Sequence, residues 1–316
     1  MSSNLDLTKV ADTPAADAST GGDTPRGGRR SGQRRKREPG ETGILVGSHI
    51  VLIFWTLVVV LPLVWTFFSA TRSTSEIFAG PWEMPHHLWH NISANFSSAW
   101  SDSGLGRALF NTVFVVVIAL ILVMALGSMC AYSLARFPFR GSRFVYYLIL
   151  AGNTFPIFLA IVPLFFVLKN IGLLNSMPGL ILTYVAFAFP FTVFFLYPFF
   201  RALPAEIAEA AELDGAGDWR TFIQVMLPMA KPGIAAVAIF NFLGLWNQFL
   251  LPVALNTNEK NYVLSQAMAN FVSSAGYEVN YGAMFAGVVI TVVPVLIAYI
   301  IFQRQLQGSL SQGTMK

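Results

Sequence analysis

The amino-acid sequence predicts an all-α integral membrane protein with six transmembrane helices. Hydrophobic residues make up 55% of the chain and charged residues only 11%, against about 25% charged in an ordinary soluble domain. The apolar residues gather into six uncharged runs, 44–70, 109–134, 144–168, 179–200, 234–255 and 283–302, each near the roughly twenty residues that cross a bilayer. None alternates in polarity as a barrel strand would, and in lipid only helices or closed barrels satisfy every backbone group.

Taken in order, residues 1–43 are rich in Gly, Ser, Thr, Asp and Arg, the composition of a disordered tail. The run after it is too long for a signal-peptide core and has no convincing cleavage site, so it reads as an uncleaved anchor. Arg26, Arg29, Arg30, Arg34, Arg35, Lys36 and Arg37 form a basic cluster just before that run. A positively charged cytoplasmic flank on the membrane explains it, and a net charge of +4 is too small to imply nucleic acid. The single cysteine, Cys130, lies inside an apolar run, which excludes an intrachain disulfide and leaves a packing role. Pro62, Pro156, Pro163, Pro190, Pro198 and Pro294 fall within the runs and are expected to kink or interrupt them.

Orientation follows from Lys and Arg. With the N-terminus inside, the cytoplasmic segments hold eight in the tail, three in 135–143, three in 201–233 and two at the C-terminus, sixteen of the 20. Arg72, Arg107, Lys169 and Lys260 remain outside, and both termini are cytoplasmic. The runs contain no Asp, Glu, Lys or Arg, and no His beyond His49. A proton- or ion-coupled carrier keeps such groups at membrane depth despite their cost. Energy must therefore come from elsewhere, or the chain is a passive pore or a scaffold.

The connection 201–233 reads as two short helices around a glycine turn. Pro204 suits a first helical position and Glu206 the positive helix end. Leu203, Ile207 and Ala211 form a narrow apolar stripe. Gly215 and Gly217 permit the turn, Asp218 is the expected N-cap, and Trp219, Phe222, Ile223 and Met226 make an amphipathic face. Pro228 and Pro232 end the segment. Glu206, Glu209 and Glu212 would be repelled by anionic lipid, which favours a protein partner.

The spacing Glu209-Ala210-Ala211, three residues, Gly215, nine residues, Val225-Met226-Leu227-Pro228 closely resembles the signature of ABC importer permeases, Glu-Ala-Ala, three residues, Gly, nine residues, Ile, any residue, Leu-Pro. Val225 in place of Ile is its one departure. The resemblance extends over most of the chain beyond the tail and is nearest to the smaller maltose-type permease subunit of the carbohydrate-uptake family. Asn111-Thr112, Ala131 to Phe137, Ile171 to Ser176, Trp246-Asn247 and the tail Gln303 to Lys316 also look like that family. The basic tail does not belong to the pattern.

The resemblance implies a type I importer permease of MetI-like fold, with 201–233 as the hairpin that couples it to an ATPase. It also implies the partners: a homologous second permease, an ATPase dimer that binds ATP and Mg, and an extracellular binding protein delivering a sugar. No Gly-x-x-x-x-Gly-Lys-Ser/Thr phosphate loop occurs in the chain, so ATP belongs to another subunit, this chain needs no cofactor of its own, and it is not an enzyme. A non-sugar solute on the same fold, or a membrane scaffold that transports nothing, are the alternatives.

Asn241, Gly244 and Gln248 share one stripe of the fifth run, facing either a partner helix or a watery path for the sugar. Trp246 and Asn247, carried as candidates by the resemblance, point elsewhere on a regular helix. Asn153, ahead of Pro156, is a further path candidate. Gly127, Ala131 and Ala135 at four-residue spacing read as a close packing face. His86, His87 and His90 have metal-like spacing, but no nearby Cys or Asp completes a site and the loop reads as interfacial. The outer segment Asn256 to Tyr281 is rich in amide, hydroxyl and aromatic groups. By resemblance, Ser265 to Gly276 reaches into the binding protein; the plainer reading is an amphipathic helix that includes Met268 and Phe271.

Overall fold

In a computed structural model, residues 39–274 and 279–313 are described, with side chains for 45–273 and 279–303. The tail before Pro39, the residues Gly276 and Tyr277, and the side chains of Gly308, Ser309 and Leu310 lie outside them. The chain divides into two units, Met1–Thr56 and Leu57–Lys316. In the first, every side chain from Leu45 to Thr56 is exposed, and the Ser48 and Thr56 hydroxyls donate to the Leu45 and Leu52 carbonyls of their own helix.

Among the described residues the structure is helical, without strands. Helix α1 (Pro39–Ser69) begins before the run it contains and is followed by α2 (Thr74–Ala79), α3 (Leu88–Ser97) and a π-helical segment, Ser98–Asp102. Then come α4 (Leu105–Arg136), α5 (Ser142–Thr154), α6 (Ile157–Asn170) and α7 (Met177–Ala202). Helix α8 (Ala205–Leu213) leads to α9 (Asp218–Arg220), a π-helical segment Thr221–Met226 and α10 (Leu227–Met229). The chain closes with α11 (Lys231–Trp246), α12 (Leu250–Leu255), a 3-10 turn Glu259–Asn261, α13 (Leu264–Ser274) and α14 (Tyr281–Gly313).

Four helices, α1, α4, α7 and α14, are long and apolar enough to cross a membrane, and the count reaches six when each of two bent pairs, Ser142–Thr154 with Ile157–Asn170 and Asp218–Met229 with Lys231–Trp246, is taken as one span. The third run is not one helix. It breaks between α5 and α6 with a bend of 102°, where Phe155 turns extended and Pro156 opens the next helix. The fifth run also departs from a single span: α11 ends at Trp246, and residues 250–255 form the separate α12. Pro156 alone of the six prolines marks a break; Pro62, Pro163, Pro190, Pro198 and Pro294 lie inside continuous helices.

Helices α4 and α7 form the centre of the core. Val115, Val116, Ala119 and Val123 of α4 pack with Leu180, Ile181, Tyr184 and Val185 of α7. The threonine hydroxyls of these apolar helices are satisfied locally: Thr112, Thr183 and Thr192 each donate to the carbonyl four residues earlier. The predicted small-residue face is where α4 meets α7. A Cβ on Gly127 would lie 2.5 Å from Thr192 Cγ2, closer than van der Waals contact permits, so α7 approaches to the glycine's own backbone.

Outside the expected spans, a ledge of short helices is tied together by polar groups. Arg72 is fully buried, and its guanidinium donates to the carbonyls of Glu76, Gly80 (2.6 Å) and Pro81 (3.1 Å) while lying over the Phe68 ring. Asn95 Nδ2 donates to the carbonyls of Ala70 (3.0 Å) and Arg72 (2.9 Å). Glu76 closes a capping box with Ser73 at the start of α2. Burial pushes its carboxyl up, but the Ser73 and His86 backbone N–H groups, with the Ser73 hydroxyl, outweigh that and hold it below its usual range.

Candidate functional site

Beside the broken third span lies a cavity of about 360 Å³ lined by Asn153, Asn241 and Gln248 together with Gly152, Gly244 and several apolar side chains. Asn153 sits in the last turn of α5, just before the break. Asn241 is buried in α11, and its Nδ2 donates to Thr192 Oγ1 at 2.8 Å. Its side-chain oxygen makes no hydrogen bond among the described residues. The two expectations for this stripe therefore meet in one residue, which packs against α7 through its nitrogen and edges the cavity. Gln248 follows the end of α11, and its carbonyl accepts from Ser265 Oγ at 2.7 Å.

Trp246 and Asn247 lie elsewhere. Trp246 is buried, with Nε1 donating to the Thr291 carbonyl of α14 at 3.4 Å. Asn247 is exposed, and its amide returns to Leu243 of its own helix. The lining also includes Phe155, Phe187, Phe191 and Phe240, which nothing distinguishes among 28 phenylalanines in the sequence. No lining residue carries a charge, so the cavity offers amides, backbone and aromatic faces.

The hairpin between α7 and α11 explains its own sequence. Gly215 has φ +81°, a left-handed conformation that glycine adopts without cost. Its N–H donates to the Glu212 carbonyl (2.9 Å), and the next N–H, of Ala216, donates to the Ala211 carbonyl (2.9 Å). This pair of bonds is a Schellman cap. It fixes the three-residue gap between Ala211 and Gly215. Gly217 has φ −74° and is the N-cap of the second arm. Asp218, expected to cap, is instead its first helical residue, and Pro204 is the N-cap of α8 rather than its first position.

The second arm departs from an ideal helix through the π-helical segment Thr221–Met226. Pro228 lacks an N–H, and its ring would collide with the Gln224 carbonyl in a regular helix; a wider turn relieves both. Phe222 and Met226 are buried, whereas Trp219 is 61% and Ile223 53% exposed, so the predicted amphipathic face is split. Val225 and Leu227 pack with Phe222 and Met226 at the root of the hairpin, which Tyr132 joins with its ring centroid 4.8 Å from Phe222. Arg136 at the end of α4 donates to the Leu203 carbonyl at the hairpin's base. Leu203, Ile207 and Ala211 are half-buried. Glu209, Ala210 and Pro228 are exposed, and Leu213 is 90% exposed beside the turn.

Residues 123–308 match the family described as the binding-protein-dependent transport system inner membrane component. The diacetylchitobiose uptake system permease protein NgcG of Streptomyces coelicolor is 61% identical over 269 residues, covering 85% of this chain and 88% of that protein. The trehalose transport system permease protein SugB of Mycobacterium tuberculosis is 33% identical, covering 83% and 95%. Among solved structures, a chain of a bacterial ABC transporter involved in the import of the acidic polysaccharide alginate shares the fold. Its TM-score is 0.74 at 20% identity, covering 85% of this chain and 98% of that one.

Proposed function

The chain belongs to the binding-protein-dependent transport system inner membrane components, and from that premise we propose that it is the permease subunit of an ATP-driven importer of a neutral sugar. The observation that carries this reading is the 61% identity to a diacetylchitobiose uptake permease. An N-acetylated disaccharide is accordingly the proposed substrate. The uncharged cavity agrees with it, since Asn153, Asn241 and Gln248 offer amides for hydroxyl and acetamido groups, and the phenylalanines offer faces for the sugar rings.

In this mechanism an extracellular binding protein delivers the sugar, and a homologous second permease completes the pathway. ATP and Mg are bound by two copies of a separate ATPase subunit. The hairpin docks on that ATPase through its exposed tip, with Glu209, Ala210, Ala211 and Gly215 shaping the turn. Val225, Leu227 and Pro228 root it in the membrane domain. Closure of the ATPase dimer moves the hairpin and, through its root beside α4 and α7, the helices around the cavity. Helix α13 and the residues after it, including Ser265 to Gly276, face the binding protein; both termini are cytoplasmic.

The test is uptake of radiolabelled N,N′-diacetylchitobiose by cells carrying or lacking this chain, followed by ATPase assays of the reconstituted complex. Uptake should require the chain, and loaded binding protein should stimulate ATP hydrolysis. Unchanged uptake in the deletion strain rejects the substrate, and absence of stimulation by any loaded binding protein rejects the importer. A reporter active only outside the membrane should work when fused near Asn95 or Asn258 and stay silent near Asp218.

A further inference from the structure

A second pocket, of about 490 Å³, opens on the ledge, away from the cavity, among Trp100, Asp102, Arg107, Glu259, Tyr262 and Asn270. One wall is the π-helical segment Ser98–Asp102, which carries Trp100 and Asp102; such segments often accompany functional sites. The indole is seated on Gly106, where a Cβ would stand only 2.6–2.9 Å from Cε2, Nε1 and Cδ2. Trp100 still keeps 44% of its surface exposed. The facing wall is fixed to α4. Asn111 Nδ2 donates to the carbonyls of both Lys260 and Tyr262 at 2.9 Å, and Thr112 Oγ1 accepts the Leu264 N–H at 2.7 Å.

Against these braced walls, the side chains of Asp102, Arg107, Glu259 and Asn270 make no hydrogen bond or ion pair among the described residues. The set is mixed in sign. Two carboxylates oppose an anion, and Arg107 opposes a cation. What the set offers is acceptors and donors side by side, next to an indole held in place. A hydroxyl group both donates and accepts, and the apolar face of a pyranose ring suits an aromatic surface. The volume lies in the range of about 300–1,000 Å³ typical of small-ligand pockets.

We infer that this pocket is a carbohydrate subsite, binding a neutral saccharide with Trp100 as its platform, on the side that the charge bias places outside. It deepens the importer reading by giving the permease a sugar contact apart from the cavity, and it rests on that reading for the choice of sugar.

The test uses the assembled permease–ATPase complex in nanodiscs, without binding protein or ATP, titrated with N,N′-diacetylchitobiose by saturation-transfer NMR. Trp100→Ala and the double variant Asp102→Asn/Glu259→Gln should each weaken binding about tenfold. Trp100→Phe should retain it, and Met84→Ala, an exposed site that lines neither pocket, should leave it unchanged. Loss of binding in Gln248→Ala, with Trp100→Ala normal, puts the sugar in the cavity and overturns the inference. So does a wild-type complex that binds no sugar, even where uptake with the binding protein is intact. Variants that change only the concentration of binding protein needed for half-maximal ATPase stimulation also overturn it, marking a protein contact. If uptake is absent but pocket binding follows the expected pattern, the importer reading falls and the subsite stands.

Discussion

Around α2 and α3, Arg72 and Asn95 turn their polar side chains onto the chain itself, Arg72 bridging three carbonyls and Asn95 two. Between Ala205 and Met229 the reverse holds. Glu206, Glu209, Glu212, Asp214 and Asp218 are exposed, and Leu213 and Trp219 turn large apolar surfaces outward. Both regions are short helices joined by tight turns, so local propensity does not separate them. They differ in where the polar groups find partners. The ledge is braced from within around Arg72, whereas the hairpin is ordered at its root and left unfinished at its tip.

Substitutions should separate the two regions. The largest effect is expected from Arg72→Met. It strands three carbonyls and should destabilise the protein by about 4 kcal/mol, read by unfolding in mixed SDS micelles. A loss below about 1 kcal/mol would show that water reaches those carbonyls and that the ledge is not self-contained. Next comes Gly127→Val, which drives a side chain into Thr192 and should cost about 3 kcal/mol by the same measurement. On the hairpin, Leu213→Asp should change stability by no more than about 0.5 kcal/mol, while transport-coupled ATPase activity falls sharply. Equal losses of both would mean that the tip packs on its own chain. The smallest effect concerns pH. The Glu76 carboxyl is held below its ordinary value of 4.5, so its ionised form stabilises the ledge above that pH. The contribution drains away as pH falls through the lowered value. Glu76→Gln should flatten this acid-side slope in the melting temperature.

What the sequence disclosed follows from which interactions are local. Apolar runs place the spans because burial in lipid depends on composition alone. The hairpin turn was legible because a Schellman cap needs glycine at one fixed offset, and Gly215 supplies it. The prolines were less informative. Each removes one hydrogen bond, and whether the helix then breaks depends on packing, so Pro156 breaks its span while Pro190 and Pro198 remain within α7. The face through Trp219 and Ile223 parts from Phe222 and Met226 because the expected period is that of a regular helix and the π-helical turn shifts the register. Arg72 counted only as an outer charge; its burial depends on carbonyls supplied by a chain reversal that no periodicity marks. Asn153, Asn241 and Gln248, which line one cavity, stand out in the sequence because amides are conspicuous in apolar runs. Their phenylalanine neighbours were hidden among many like them.

The break at Pro156 has a consequence for how the cavity responds to change. Proline has no N–H to return to the carbonyl four residues back, which here belongs to Gly152, a residue of the cavity wall. Part of the polarity there comes from main chain and is common to every sequence that keeps the break. Replacing Asn153 or Gln248 then leaves the wall short of pure hydrocarbon. On the sugar path proposed above, side chains could then be exchanged one at a time, each intermediate still lined by an acceptor that their mutation does not remove.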